Sequence, residues 1–422
     1  MQSKQSAGYY EIFRVSNFLA FRALKRANVW TTVLIVFIMT LTFLNLVFVS
    51  GILSGLVAGS SNAYRAQYSG DILLSNLESK NFIEDTTRVE KVLESFPEVV
   101  ATTSRMLAGA TIEANYRTKI DISENTESVA SVVSGINPQD EDAVTHLSER
   151  LVAGAYLEPN DVNGALVGSN LLEAYVRNVP GSDTLSAIDV GDTIRIKVNG
   201  VMREFIIRGV VKSKISAVSQ RVYINETILR QMLGRQQKDA NEIAALLVPG
   251  TDPTYIKEEL RAVDICSCAK IETWEESQGQ FFKDIGSTFD ILGGVIGSIG
   301  IAVASITVFI VIFINAVTRR KYIGILQGIG ISPSAITFSY ILQSLFYAIA
   351  GSLVGSAILF GLLKPYIDAN PIDFPFSDGI LVAPIDLTLM RIGIIILVTI
   401  IAGYIPARII VGKNILDSIL GR

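Results

Sequence analysis

Residues 317–334 read VTRRKYIGILQGIGISPS. Three consecutive cations, Arg319, Arg320 and Lys321, lead into an alternation of glycine and aliphatic residues. Uncharged runs flank the stretch: Ile291–Thr318 before it, and Tyr322–Leu363 through and beyond it. Two more lie at the ends of the chain. One falls between Arg26 and Arg65, and the other, Ile392–Ala407, extends upstream through Leu387–Met390 across Arg391. A helix needs roughly 20 apolar residues to cross the hydrocarbon core, so the sequence predicts four transmembrane helices. The first run far exceeds the roughly 7–15 residues of a signal-peptide core, so it is expected to stay as an anchor rather than be cleaved. Half of the 422 residues are hydrophobic, 18% are charged, and the mean hydropathy is +0.43.

Charge placement orients the chain. Residues 1–28 carry Lys4, Arg14, Arg22, Lys25 and Arg26 against Glu11, and the end carries Arg408, Lys413 and Arg422 against Asp417. With the cations at 319–321, these define the cytoplasmic side by the positive-inside rule. Loop 364–391 is acidic, and residues 65–290 hold 34 acids and 23 bases, a net of −11. These are expected outside. The predicted order is an interfacial amphipathic helix at 1–27 with basic residues Arg22, Lys25 and Arg26, then a membrane helix at 28–57. An extracytoplasmic α+β domain at 58–282 follows, then a stalk and second helix at 283–318, and a cytoplasmic loop at 319–332. The third helix is expected at 333–364, an outer loop at 365–386, the fourth helix at 387–411, and a tail at 412–422. The protein is read as a multi-pass protein of the cytoplasmic (inner) membrane with both termini in the cytoplasm.

Period-two alternation marks strands in the outer domain. Ile194, Ile196 and Val198 share a face, and Asn199-Gly200 supplies a hairpin turn before a returning strand. Residues 109–120 and 243–248 also read as strands, and 84–95 and 252–262 as helices, the latter started by Asp252-Pro253. One or two small α+β lobes are expected. The polar segment 270–290 has helical spacing and is expected to extend the second membrane helix outward. Gly293, Gly297, Gly351 and Gly355 sit at spacings that let membrane helices approach closely.

Catalytic signals are weak. His146 is the lone histidine, beside the acids 140–142, and reads as a solvated surface residue. Cys266 and Cys268 lack the two further ligands of a structural metal site. An oxidised pair, a disulfide between subunits and two unreactive thiols all remain open. The sequence contains no G-x-x-x-x-G-K-[ST], so no P-loop cradles a nucleotide. The acidic outer domain gives no support for nucleic-acid binding. The chain is not read as an enzyme, and no metal site or cofactor is expected in it.

The order of one helix, a large outer domain and three helices with a short basic loop resembles the MacB/FtsX-like (type VII) permeases of ABC transporters. The likeness extends over nearly the whole chain. It is carried by Arg319-Arg320-Lys321-Tyr322-Ile323-Gly324-Ile325-Leu326-Gln327-Gly328-Ile329-Gly330, and by Pro406-Ala407-Arg408 followed by Asn414 to Leu420. VSGINPQDE (133–141) is similar to the Gly-Ile-Asp-Pro passage of LolC/LolE-type lipoprotein-releasing permeases. ALVGSNLLEAYV, VGDTIRIKV and REFIIRGVVKS are similar to the periplasmic core of the wider group. Two positions depart from the family: Tyr322 stands where an acid is usual, and Asn414-Ile415 where Asp-Pro is usual.

The resemblance implies a permease dimer, homo- or heteromeric, working on two copies of a MacB/LolD-like ABC ATPase that binds the ATP and magnesium. It implies that Arg319 to Gly330 couples to that ATPase, with Ile323, Ile325, Leu326 and Ile329 filling an apolar groove. Pro406, Ala407, Arg408, Leu416 and Leu420 would dock the tail. Mechanotransmission to the outer domain would then extrude or release lipoprotein, lipid, peptide or drug, with an extracytoplasmic adaptor or cargo protein and membrane lipid as further partners. The alternative is an FtsX-like regulator that activates a cell-wall hydrolase without transport.

Overall fold

In the computed structural model, residues 2–116, 127–176, 184–263, 268–374 and 377–412 are described. Two compact units emerge. One comprises Met1–Val57, Asp284–Ile372 and Gly379–Arg422; the other comprises Ala58–Lys283 with Asp373–Asp378.

The first unit is helical. Among the described residues, four helices are long and apolar enough to span a membrane: Val29–Ser69, Phe282–Thr318, Pro333–Ala369 and Ile385–Val411. A shorter helix, Gln2–Lys25, precedes them. The third transmembrane helix is central, packing against the helix Gln2–Lys25 and against the first and fourth transmembrane helices. Its buried face, with Ile336, Tyr340 and Tyr347, meets Ile35 and Met39 of the first helix and Ala402 and Ala407 of the fourth. The second helix joins the core through Ala304, Val308, Ile312 and Ala316. Its other face exposes Ile291, Val295, Ile299, Ile306 and Ile310, the apolar belt that lipid requires.

Hydropathy marks only the part of each helix that faces lipid. The first runs unbroken from Val29 to Ser69 through π-helical turns at Asn45–Val49 and Arg65–Ser69, well past the expected end at 57. The helix carrying the second span is 40 residues long, Gly279–Thr318, about 60 Å at 1.5 Å per residue. The helical reading of 270–290 needs correction at its start. Lys270–Thr273 is a strand in which Ile271 and Thr273 are buried while Lys270 points out. Gly279, with φ of +77°, stands where the long helix begins.

The second unit is a mixed α/β domain. Its strands are β1 (Ile72–Ser75), β2 (Val99–Ala114), β3 (Glu127–Ile136), β4 (Leu151–Gly154), β5 (Gly164–Gly168), β6 (Thr193–Val198), β7 (Val201–Val211), β8 (Arg221–Asn225), β9 (Glu242–Leu247) and β10 (Lys270–Thr273). β2 belongs to two lobes. Its first half, 99–105, pairs with β9, which continues through β1 to β10. Its second half, 106–114, pairs with β3. From there the ladder runs β3-β8-β5-β7-β6 and returns to β2, a closed ring of six strands. Closure removes the edges an open sheet would expose. Met106, Ile112, Val133, Ile194, Ile196, Phe205 and Ile224 belong to the core cluster of this lobe. Asn199 and Gly200 take φ of 48° and 85° in the β6–β7 turn, as a two-residue hairpin requires.

The helices Thr86–Glu94 and Pro253–Ala262 cover the β1-β9-β10 lobe through Val89, Leu93, Ile256 and Leu260. Asp252 caps the latter by accepting from the Thr254 N–H at 2.9 Å. His146 is exposed, in a left-handed conformation that ends the helix Pro138–Thr145. Cys268 is half-buried against the β1-β9-β10 core, and Cys266 lies outside the described residues.

Candidate functional site

The stretch 319–334 folds as a short helix, Arg320–Gly328, between the second and third transmembrane helices. Its C-terminus closes by two bonds: the Ile331 N–H donates to the Leu326 carbonyl, and the Gly330 N–H to that of Gln327, both at 3.0 Å. This closure needs a left-handed residue at its corner, and Gly330 has φ of +96°. Ser332 then caps the next helix, accepting from the Ala335 N–H, with Pro333 in its first turn.

The expected contact residues divide into two sets. Ile323 is 4% exposed and packs into the transmembrane core, where the half-buried Leu326 joins it. Gln327 Nε2 donates to the Val411 carbonyl at 2.9 Å, tying the short helix to the end of the fourth. These residues tie the short helix to the transmembrane helices. Outward face Tyr322, Ile325 and Ile329, at 64%, 52% and 71% exposure, spaced i, i+3 and i+7. That spacing puts them on one side of the helix. Arg319 and Lys321 are exposed beside them, Arg320 is half-buried, Gly324 is buried and Gly328 is exposed.

Pro406 and Ala407 lie within the fourth helix, both buried. Arg408 is exposed, and its Nη1 donates to the Tyr404 hydroxyl one turn back at 2.8 Å. Leu416 and Leu420 lie outside the described residues.

The helix Gln2–Lys25 buries a stripe of Ser16 and Ala20 with the partly buried Leu24. Ser16 Oγ donates to the Ala335 carbonyl at 2.9 Å, and the Phe13 and Phe338 rings lie 6.1 Å apart. Cations and aromatics share the exposed surface of this amphipathic helix. Phe18 and Phe21 are exposed with Arg14, Arg22 and Lys25, and the Arg22 guanidinium lies 5.9 Å from the Phe18 ring centroid. Arg26 is exposed just beyond the helix.

The glycines also divide. A Cβ built on Gly351 would meet Met39 Cβ at 2.4 Å, and one on Gly355 would meet Phe43 Cδ1 at 2.3 Å. A Cβ on Gly297 would meet Leu46 at 2.6 Å, whereas at Gly293 the nearest atom is 3.5 Å away, an ordinary contact. The first helix therefore rests on glycines of the third.

The outer unit holds a cluster that no periodicity announced. Arg105 is 1% exposed, in β2 where one lobe passes into the other. Its Nε and Nη2 grip the two carboxylate oxygens of Glu141, each at 2.8 Å, and Nη1 reaches Glu242 Oε2 at 3.3 Å. Arg221 pairs with the same Glu242 at 3.1 and 3.2 Å. Burial alone raises the Glu242 carboxyl, but Arg221 and Arg105 outweigh it and hold the group below the usual carboxylate range. Tyr68 completes the set. Its hydroxyl donates to Glu242, its carbonyl accepts from Arg105 Nη2 at 2.8 Å, and both guanidiniums stand about 5 Å from its ring centroid. Two arginines balance two carboxylates, so the cluster is neutral.

Among the described residues, no group of three or more histidine, cysteine or carboxylate side chains is placed to hold a metal ion.

Comparison with known proteins adds the following. The family profile for the MacB-like periplasmic core domain matches residues 32–263, more than half of the chain, and that for the FtsX-like permease C-terminal matches 294–415. The chain is 28% identical over 137 residues to the ABC transporter permease YtrF of Bacillus subtilis, covering 29% of this chain and 30% of that protein. It is 25% identical over 282 residues to the uncharacterized ABC transporter permease MJ1507 of Methanocaldococcus jannaschii, covering 64% of this chain and 65% of that one. The chain thus spans less than two thirds of the length of either relative. Among solved structures, the periplasmic region of MacB from Actinobacillus actinomycetemcomitans aligns with 51% of this chain and 93% of its own at 14% identity and a TM-score of 0.37. The extracellular domain of the noncanonic ABC-type transporter YknZ aligns with 48% of this chain and 98% of its own at 13% identity and a TM-score of 0.33.

Proposed function

The chain belongs to the FtsX-like permeases with a MacB-like periplasmic core domain, and from that premise we propose that it is the membrane subunit through which a separate ATPase drives the outer domain of an ABC transporter. The observation that carries this reading is the exposed stripe of Tyr322 and Ile325 on a short helix, continued by Ile329 at its C-terminal cap, with the other side fixed by Ile323, Leu326 and Gln327. An element that receives force must be anchored on one side and free on the other. Arg319 and Lys321 add charge for acidic groups of the partner, and Tyr322 substitutes aromatic surface for the family's acid. ATP and magnesium are held by that partner, since this sequence contains no phosphate-binding loop.

In this account the loop and both termini face the cytoplasm, where their cations favour the inner leaflet. The acidic unit 58–283 faces outward. A second permease subunit completes the assembly, and Arg22, Lys25 and Arg26 meet anionic lipid. The cargo is hydrophobic or amphiphilic, a class that includes lipoproteins, lipids, peptides and drugs, handled by the outer domain.

The test is the double variant Ile325→Asp/Ile329→Asp in the full-length chain. Two charges placed in an apolar contact are expected to lower stimulation of the partner's ATP hydrolysis at least about tenfold. Membrane insertion should be unchanged, because both side chains are exposed. Full stimulation by the double variant would refute the contact.

A further inference from the structure

We propose that Tyr68, Arg105, Glu141, Arg221 and Glu242 form a joint that fastens the outer end of the first transmembrane helix to the centre of the outer domain, making them positioning residues for the transmission of force. The inference rests on the reading above and adds the place where force enters the sheet.

Five segments converge here. Tyr68 belongs to the last turn of the helix that begins at Val29. Arg105 sits where β2 passes from one lobe to the other, Glu242 opens β9, Arg221 opens β8, and Glu141 lies on the helix Pro138–Thr145. The cluster therefore bonds the incoming helix to both lobes at the one strand they share. Its neighbours are also committed. The Thr103 hydroxyl donates to the Glu141 carboxylate at 3.1 Å and the Thr145 hydroxyl lies 3.0 Å from its other oxygen, so each carboxylate has several polar partners in a largely buried site. Just beyond, the Gly70–Asp71 connection leaves no slack. Gly70 has φ of +61°, and a Cβ there would lie 2.5 Å from the Ala245 carbonyl oxygen. Asp71 is 1% exposed, pairs with Arg65 through Arg65 Nε at 2.6 Å, and accepts from the Leu247 N–H at 2.8 Å.

A hydrophobic plug of similar volume would secure the lobes equally well or better. What ion pairs add is direction: bidentate arginine–carboxylate contacts fix angle as well as distance. A helix end held this way cannot rotate or slide against the sheet without unpairing buried charge. Apolar side chains slide past one another far more readily.

The experiment is hydrogen exchange on the full chain in lipid nanodiscs, comparing wild type with Arg105→Lys and Tyr68→Phe. Lysine keeps the charge but loses the bidentate grip; phenylalanine keeps the ring and loses the hydroxyl. In both variants, amides of 64–71 are expected to exchange about tenfold faster or more, while those of 193–211 keep wild-type rates. Unchanged exchange at 64–71 in both variants would overturn the joint, as would equal acceleration at 193–211. The same samples are then given the partner ATPase and ATP. Wild type is expected to show an ATP-dependent exchange change in 99–114, which Arg105→Lys loses while still stimulating hydrolysis. A variant that keeps the full response despite loosened 64–71 overturns the role in transmission. If wild type shows no ATP response while 64–71 loosens in the variants, force transmission fails as the protein's function and the joint stands as a structural fastening.

Discussion

Gly351→Leu is expected to break the packing of the first transmembrane helix on the third. A Cβ at 351 would stand 2.4 Å from Met39 Cβ and 3.0 Å from the Met39 carbonyl carbon. A flexible side chain can retreat from such a clash, but a backbone atom moves only if its helix moves. Overfilling a packed core costs roughly 1–3 kcal/mol, and more when backbone must shift. Gly355 against Phe43, one turn on, prevents a local rotation from relieving it. We expect Gly351→Leu to lower the melting temperature in detergent by roughly 2–12 °C. Gly393→Leu provides the control: that glycine is in the fourth helix with nothing within 4 Å of its Cβ position. It should melt like wild type, and equal losses in the two variants would contradict the packing account.

Arg105→Met is expected to be the most damaging single change in the outer unit. It leaves the 2%-exposed Glu141 carboxylate without its cation. Removing one partner of a buried ion pair costs about 3–5 kcal/mol, because the other charge stays buried and uncompensated. Glu242 retains Arg221, so the loss centres on Glu141. Arg105→Met/Glu141→Leu, which deletes both charges, should therefore be less destabilised than Arg105→Met alone. Denaturant melts of the full chain would show this order, and a double variant weaker than the single would contradict it.

These two sites differ in how far sequence revealed them. The four membrane helices were legible because lipid demands unbroken apolar length. Turns and caps were legible because they depend on local chemistry: Asn199-Gly200 makes the hairpin turn and Asp252-Pro253 starts the helix, as read from the sequence. Gly351 was legible as a small residue in a membrane helix, but its neighbour Met39 lies more than 300 positions away, and only the fold brings them together. Gly293 has the same signature, yet a Cβ there would make only ordinary contacts with Ser50, the nearest at 3.5 Å.

The Arg105 cluster left no pattern, since its members come from five separate segments and each reads alone as an ordinary charged residue or, for Tyr68, an ordinary aromatic. Its one hint was Arg105 itself, a lone cation in the strand Val99–Ala114. The 319–330 stretch was recognisable as a unit, yet the division between Ile323 facing in and Ile325 facing out needed the helix phase relative to its neighbours. The early part of 270–290 was misread because charged residues alternating with Ile271 and Thr273 fit a short strand as well as a helix. Only pairing with β1 decides between them.

The outward stripe of the 319–332 loop is the proposed ATPase contact. A photo-crosslinking residue at Ile325, in the full-length chain in native membranes, tests it most directly. The expected result is an adduct with one protein, shown by mass spectrometry to be a nucleotide-binding ATPase subunit, and its disappearance when Ile329→Asp is added. An adduct only with lipid, or only with a protein that binds no nucleotide, would contradict it.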